Sequence, residues 1–285
     1  HKVSLHAGFT CPNRDGRVGV GGCTYCINES FNPQAGAPLR SIGEQMADGI
    51  AYMRRRFHAE KVFAYFQAFT NTYADLDTLR RVYDEAVVFP EVVGLSIGTR
   101  PDCVPDEVLD LVQGYTAKVE VWIEYGIQSI HERTLRRINR GHDFEAFRDA
   151  VARTLPRGIR VCAHVILGLP GESHEDMMRT AEALQPLGLH GIKLHHLYVA
   201  RKTALERDYA AGTLRLFTAP EYVRAVCDFL ERIPSGVAVQ RLVGDTTSSD
   251  VLLAPQWPES KSRVLQMITE EFRRRGSVQG ARVAT

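Results

Sequence analysis

Apolar runs and helical periods alternate along this chain. Residues 2–5 (KVSL), 61–67 (KVFAYFQ), 92–98 (VVGLSIG), 118–127 (KVEVWIEYGI), 160–167 (RVCAHVIL) and 191–199 (GIKLHHLYV) are short, rich in β-branched and aromatic residues, and read as strands. Helical pattern fills the intervals. Ser41 with Glu44 forms a capping box, after which Ile42, Met46, Ile50, Met53 and Phe57 mark one face. A helix is expected from about residue 74 to 88, and another opens at Pro105-Asp106-Glu107 and ends at Gly114. Helical pattern continues from about residue 129 to 155; Ser173 with Asp176 caps the next helix, and Thr218 with Glu221 caps one reaching about residue 231.

Strands separated by helices, six times over, predict parallel β/α units with right-handed crossovers. The first βα turn lacks G-x-G-x-x-G, and no G-x-x-x-x-G-K-S/T loop occurs. Polar candidates sit instead at the C-terminal ends of nearly every strand, the distribution of a barrel whose site is assembled from its βα loops. The expected fold is α/β: a partial (β/α)6 TIM-like barrel over residues 1–235, with a short C-terminal extension over 236–285 packed on it. That extension holds one further strand (VAVQRLV), a polar loop, and a terminal helix from about residue 260 to 275.

Composition narrows the classes. The 285 residues, 44% hydrophobic and 24% charged, are those of an ordinary globular chain able to bury a full core. Lys+Arg 35 against Asp+Glu 34 gives a net charge of +1, so a nucleic-acid partner would need a local basic face. No run of about 18 apolar residues offers a membrane span, and no secretory signal opens the sequence. Of six cysteines, Cys162 and Cys227 lie in apolar patterns and read as buried, while Cys103 follows a strand end. A chain this long needs no disulfide scaffold, so a reducing, cytoplasmic setting is expected.

The other three cysteines share one loop. Residues 6–31, HAGFTCPNRDGRVGVGGCTYCINESF, place Cys11, Cys23 and Cys26 in a C-x11-C-x2-C array. A four-iron cluster wants four ligands. Three thiolates leave one iron open, as catalytic metal sites leave a position open, and S-adenosylmethionine is a ligand that could fill it. Gly21-Gly22 before Cys23 lets the backbone approach closely. A structural zinc site is the alternative; it would need a fourth ligand, with His6 the nearest candidate, and the usual second C-x2-C-like pair is missing.

The CPNRDG and GGCTYC segments of this loop resemble the radical S-adenosylmethionine superfamily, in the branch named for the YhcC and YtqA proteins. That branch is related to the Elongator catalytic subunit and the oxygen-independent coproporphyrinogen oxidase. The resemblance covers about residues 2–209, with weaker likeness in the tail (QRLVGD and Gln279-Gly280). It implies a 4Fe-4S cluster on Cys11, Cys23 and Cys26, S-adenosyl-L-methionine as the second cofactor, and a reducing partner such as flavodoxin or ferredoxin. Tyr25 would cover the adenine side. Gln67-Ala68-Phe69-Thr70 falls where relatives keep a glycine-rich turn for the methionine amino group; Thr70 matches, while Gln67 and Phe69 replace glycines. Thr99 opens the T-R-P-D run, and Gly98 stands where related enzymes place a ribose-binding carboxylate. Gln128 and Arg140 match a pair that grips the cofactor. Glu124 lies earlier on the same strand, and His164 stands where relatives often carry Asp, ahead of Gly168-Leu169-Pro170-Gly171-Glu172. The family's K-G-T reads here as Arg201-Lys202-Thr203.

For the substrate, Arg136, Arg137, Arg201 and Lys202 follow strand ends and would rim a barrel mouth, where phosphate contacts let a nearly neutral protein hold RNA. Arg54 to Arg56 and Arg273 to Arg275 read as solvated helix faces. With the Elongator resemblance, the rim points to a tRNA base, with the wobble-uridine side chain favoured. A small metabolite or a peptide is the alternative substrate, and a zinc-stabilised binding module is the alternative of another class.

Overall fold

Residue 2 already reaches across the molecule. Lys2 Nζ donates to Ser96 Oγ at 3.3 Å, to Glu124 Oε1 at 2.5 Å and to Gln240 Oε1 at 3.0 Å, three strands that follow it at widening intervals in the chain. Only a curled sheet allows those contacts. The structure is a computed structural model and describes residues 1–28, 38–244 and 251–283.

The elements are β1 (Lys2–Leu5), α1 (Ile42–Phe57), β2 (Val62–Phe66), α2 (Leu76–Val87), β3 (Val92–Thr99), α3 (Asp106–Gln113), β4 (Glu120–Gln128), α4 (Glu132–Arg137) and α5 (Phe144–Thr154). They continue with β5 (Arg160–Leu167), α6 (His174–Leu184), β6 (Gly191–His196), β7 (Val199–Ala200), α7 (Ala204–Ala210), α8 (Ala219–Leu230), β8 (Ala238–Arg241), β9 (Leu252–Ala254) and α9 (Lys261–Arg275). Seven strands pair in the order β1-β2-β3-β4-β5-β6-β8, every neighbour parallel. This is the half-barrel that the alternation of strands and helices predicts, with one strand more.

The extra strand corrects the boundary expected at residue 235. Residues 238–241 pair parallel with β6, Gly191 with Ala238 and Lys193 with Arg241, so they belong to the sheet. Only the terminal helix is an appendage. It lays Val264 and Ile268 into the core and is pinned to α8 by Arg275, 2.6 Å from Asp228. The expected sixth strand also ends early, at His196; Val199–Ala200 turns away to pair antiparallel with β9.

Local signals placed the helices. Ser41 Oγ accepts from Glu44 N at 3.2 Å, and Ser41 N donates back to Glu44 Oε2 at 3.0 Å. The boxes at Ser173 and Thr218 form likewise. Ile42, Met46 and Ile50 are buried as the face predicts, while Phe57 is 43% exposed and stacks on His1. The helical pattern over 129–155 is interrupted. Asn139 and Gly141 take left-handed φ values of 51° and 76°, and Asp143 starts α5 afresh by accepting from Ala146 N at 2.9 Å. That break turns Arg140 inward.

Strand alternation decides where the core sits. Leu95, Ile97, Ile123, Tyr125, Ile127, Val161, Ala163 and Val165 point outward and pack beneath the helices. A fully buried aliphatic side chain there contributes about 1.5–3 kcal/mol. The intervening positions, Ser96, Gly98, Glu124, Gly126 and His164, face the concave side. In a closed barrel that interior is a packed apolar core. Here it is a polar lumen.

Candidate active site

The cysteine loop is held rigid before any ligand is considered. Arg14 N and Asp15 N donate to Cys11 O at 2.8 and 3.2 Å, Gly22 N to Asn13 O at 2.7 Å, and Cys26 N to Cys23 O at 3.0 Å. Gly21 and Gly22 have φ near +80°, a conformation that disfavours any side chain. A Cβ on Gly22 would also meet Arg14 Nε at 2.9 Å. Two asparagines clamp the loop to the turn between α4 and α5: Asn13 donates to Asn139 O, and Asn139 Nδ2 donates to Gly22 O at 2.8 Å. Thr24 N adds a bond to Ile138 O at 3.0 Å. The result is that Cys11, Cys23 and Cys26, all free thiols, line one side of a cavity that fills the lumen.

Two buried arginines set the electrostatics. Arg140 Nε donates to Gly126 O at 3.1 Å, and Arg140 Nη1 lies 3.6 Å from Cys23 Sγ. Arg100 grips Asp102 with two bonds, 2.9 and 2.7 Å, and donates to Arg140 O at 2.8 Å. Burial pushes the Cys23 thiol up, but Arg140 and Arg100 outweigh it and hold its pKa below the ordinary value. Cys26 is pushed up to about 11 by burial and by Cys23, with Arg14 opposing from its bond to Cys26 O at 2.7 Å. A thiolate-rich, negatively charged centre suits these cations.

The donor set separates a cluster from a single ion. Among the described residues, no three His, Cys, Asp or Glu side chains converge closely enough for one metal ion. A zinc ion needs four ligands about 2.0–2.3 Å from one point. His6, the candidate fourth ligand, is buried under Phe69, with its backbone bonded to Gln45, and lines no part of the cavity. Three cysteines spread around one cavity wall fit the larger four-iron centre.

Every other candidate residue faces the same lumen: Tyr25, Gln67, Thr70, Thr99, Glu124, Gln128, Arg140 and His164. Their states differ. Thr70 is buried, and its backbone N donates to Thr10 O at 3.2 Å. Thr99 Oγ1 shares a 2.6 Å bond with Thr72 Oγ1, which donates onward to Cys103 O at 2.5 Å. Gln128 sits at a bulge between β4 and β5 with φ +70°, a strained backbone of the kind that functional sites keep. Gln67 accepts from Ser4 Oγ at 3.2 Å. Glu124 points into the lumen, but its carboxylate is taken by Lys193, Lys2, Ser96 Oγ at 2.6 Å and His164 Nε2 at 2.8 Å. It is a structural hub of the lumen floor rather than a free cofactor contact. A Cβ on Gly98 would lie 3.1 Å from Phe66 O, so a side chain there is crowded by the backbone of β2. Cys103 is buried off the cavity, its thiol pushed up to about 12 by burial and Asp102. Cys162 and Cys227 are buried as expected.

Among the residues that the sequence reading missed are Arg100, His195 and Arg241, which line the lumen, and Lys193, which reaches it through Glu124. A signal existed for two of them. On β6, Lys193 and His195 alternate with the core residues Ile192 and Leu194, the period-two mark of a polar inner face.

Comparison with known proteins agrees with this geometry. The family model for the radical SAM superfamily matches residues 11–184, and that for the radical SAM C-terminal domain matches 189–274. YtqA of Bacillus subtilis is 41% identical over 279 residues, 98% of this chain and 86% of that protein. YhcC of Escherichia coli is 42% identical over 266 residues, covering 92% and 83%. Among solved structures, the archaeal Elp3 of Methanocaldococcus infernus superposes with a TM-score of 0.73 at 19% identity, over 84% of this chain and 60% of that one, and so shares the fold. With a family model matched over more than half its length and two relatives above 40% identity covered over more than four fifths of their own length, this chain belongs to the radical SAM superfamily, in the YhcC/YtqA branch, as an enzyme whose cofactors are a 4Fe-4S cluster and S-adenosylmethionine.

Proposed function

We propose that this enzyme performs radical chemistry on a tRNA base, with the side chain of a wobble uridine as its target. Bound in the lumen, the two cofactors would supply one-electron radical chemistry able to take hydrogen from an unreactive carbon. The chain's own residues bind, orient and exclude. Cys11, Cys23 and Cys26 would hold the cluster; Thr70 would meet the methionine amino group, Gln128 and Arg140 would grip the cofactor, and Tyr25 would cover its adenine side. The lumen keeps water and stray hydrogen donors away from the reacting carbon. The electron comes from a reducing partner of the flavodoxin or ferredoxin kind.

The observation that carries the radical reading is the convergence of three free thiols with Thr70, Gln128 and Arg140 on one lumen. In a reconstituted, reduced preparation, replacing Cys26→Ala is expected to abolish 5′-deoxyadenosine formation; continued production refutes the assigned role.

The RNA reading is supported by the groove behind the cysteine loop. Arg14, Lys202 and Arg207 line it, with no carboxylate among its described residues, and Val20 beside it is 79% exposed. Phosphate contacts there would make binding fall steeply with salt. Filter binding of bulk tRNA at two salt concentrations is expected to show that fall. Without salt-sensitive binding, the small metabolite or peptide substrate takes its place. No helix among the described residues is long and apolar enough to cross a membrane.

A further inference from the structure

One strong charge in the lumen has no partner among the described residues, and it belongs to the strand that the sequence places outside the barrel. Arg241 ends β8, in register with Lys193 of β6, and lines the lumen beside Tyr65, His164 and His195. Neighbouring charges are engaged: Glu124 with Lys193 and Lys2, Arg100 with Asp102, Arg140 with Gly126 O and Cys23. The half-buried Arg241 side chain makes no hydrogen bond or ion pair among the described residues.

The charges around it do not cancel. Among the described residues, Lys2, Lys193 and Arg241 are three cations around the one carboxylate of Glu124. The histidines do not add to the count: burial, with Lys193 beside it, pushes His164 down to about 4, and burial, with Arg241 beside it, holds His195 well below its ordinary value. His164 spends Nε2 on Glu124, and its ring centroid lies 5.9 Å from that of His195. A guanidinium whose donors are unused among the described residues, beside Lys2 and Lys193, suits a planar oxyanion in two parallel bonds.

We propose that Arg241 and His195 form a subsite for an oxyanion of the substrate, a carboxylate or a phosphate. The substrate then enters the lumen with an anionic group held against β6 and β8, opposite the wall of cysteines. This deepens the reading of the chain as a radical enzyme and rests on it for the presence of a substrate in the lumen.

The test reads binding without turnover, so its failure is distinct from a failure of the radical reading, which 5′-deoxyadenosine formation decides. Reconstituted enzyme loaded with cluster and S-adenosylmethionine is titrated calorimetrically with inorganic phosphate and, separately, with acetate. At least one anion is expected to bind wild type in the millimolar range. Because a hydrogen bond to a charged group contributes about 1.5–3 kcal/mol, Arg241→Gln should weaken binding by about tenfold or more. Arg241→Lys, which keeps the charge and loses the fork, should fall in between. Affinity for S-adenosylmethionine and iron content should match wild type in both variants. Stronger phosphate binding assigns a phosphorylated substrate, stronger acetate binding a carboxylic acid. The proposal is overturned if neither anion binds wild type, if Arg241→Gln binds as wild type does, or if S-adenosylmethionine affinity falls in step with anion affinity. The last result would assign Arg241 to the cofactor's own carboxylate.

Discussion

The cluster end and the floor of the lumen are both built from buried charges, yet they are satisfied in opposite ways. At the floor, the protein supplies both signs. Glu124 is fully buried and bonded to Lys193, Lys2, Ser96 and His164, and Lys2 continues to Gln240, so strands β1, β3, β4, β5, β6 and β8 are tied through one carboxylate. At the cluster end, Arg140 and Arg100 are bound mainly to backbone carbonyls and to Asp102, and Arg140 faces the Cys23 thiol. The Glu124 network of the floor is complete as it stands. The cluster end is arranged for something the chain does not itself provide. A polar lumen can therefore hold a half-barrel together at one place and stay chemically open at another.

The largest expected effect breaks the floor. Removing one member of a buried charge network leaves the others uncompensated, which costs about 3–5 kcal/mol. Glu124→Ala should lower the stability of the anaerobic holoenzyme by that amount in thermal or denaturant unfolding, and Glu124→Gln by less because amide hydrogen bonds persist. The pH dependence has a definite sign. Burial pushes the Glu124 carboxyl up, but Lys193, His164 and Lys2 outweigh it and hold it well below its ordinary value. Its contribution is therefore present above the unfolded value, about 4.3, and is lost as pH falls through the lowered folded value. Wild type should lose stability over that acid range, and Glu124→Gln should show a flatter profile. Equal profiles would mean that the network does not stabilise the fold.

The same comparison explains what was legible in the sequence. Features written within a few neighbouring residues could be read directly: the capping boxes at Ser41, Ser173 and Thr218, the strand runs, and the C-x11-C-x2-C loop with its glycines. The cluster end was legible for that reason, because its ligands share one loop and its matched residues sit at strand ends. The floor was not. Glu124 reads as a strand-end candidate, but Lys2, Lys193 and Arg241 lie far from it in the chain, and no local signal joins them to it until the curl of the sheet turns them toward one another. The run VAVQRLV reads as a strand on its own, but nothing local in it says that it joins the sheet; only its pairing with β6 does. The break between α4 and α5 was hidden because helical spacing continues across it, although Gly141 and Asp143 mark it.

A smaller effect should sharpen the contrast at the cluster end, where geometry matters more than stability. Gly126 leaves space that two functional side chains occupy: a Cβ there would lie 2.7 Å from Gln128 Nε2 and 2.8 Å from Arg140 Nη2. Both atoms end flexible side chains, so Gly126→Ala can be relieved by moving them rather than the sheet. The unfolding midpoint should then change little, by less than the roughly 1–3 kcal/mol of a typical overpacked core. The displaced groups are those assigned to grip S-adenosylmethionine, and misplacement by about 1 Å can cost on the order of 100-fold in rate. The expected outcome is a holoenzyme with normal iron content and near-normal stability whose reductive cleavage of S-adenosylmethionine is slowed by about tenfold to a hundredfold. Loss of stability with unchanged cleavage would reverse the assignment, making Gln128 and Arg140 structural supports of the cysteine loop, as Glu124 is of the floor.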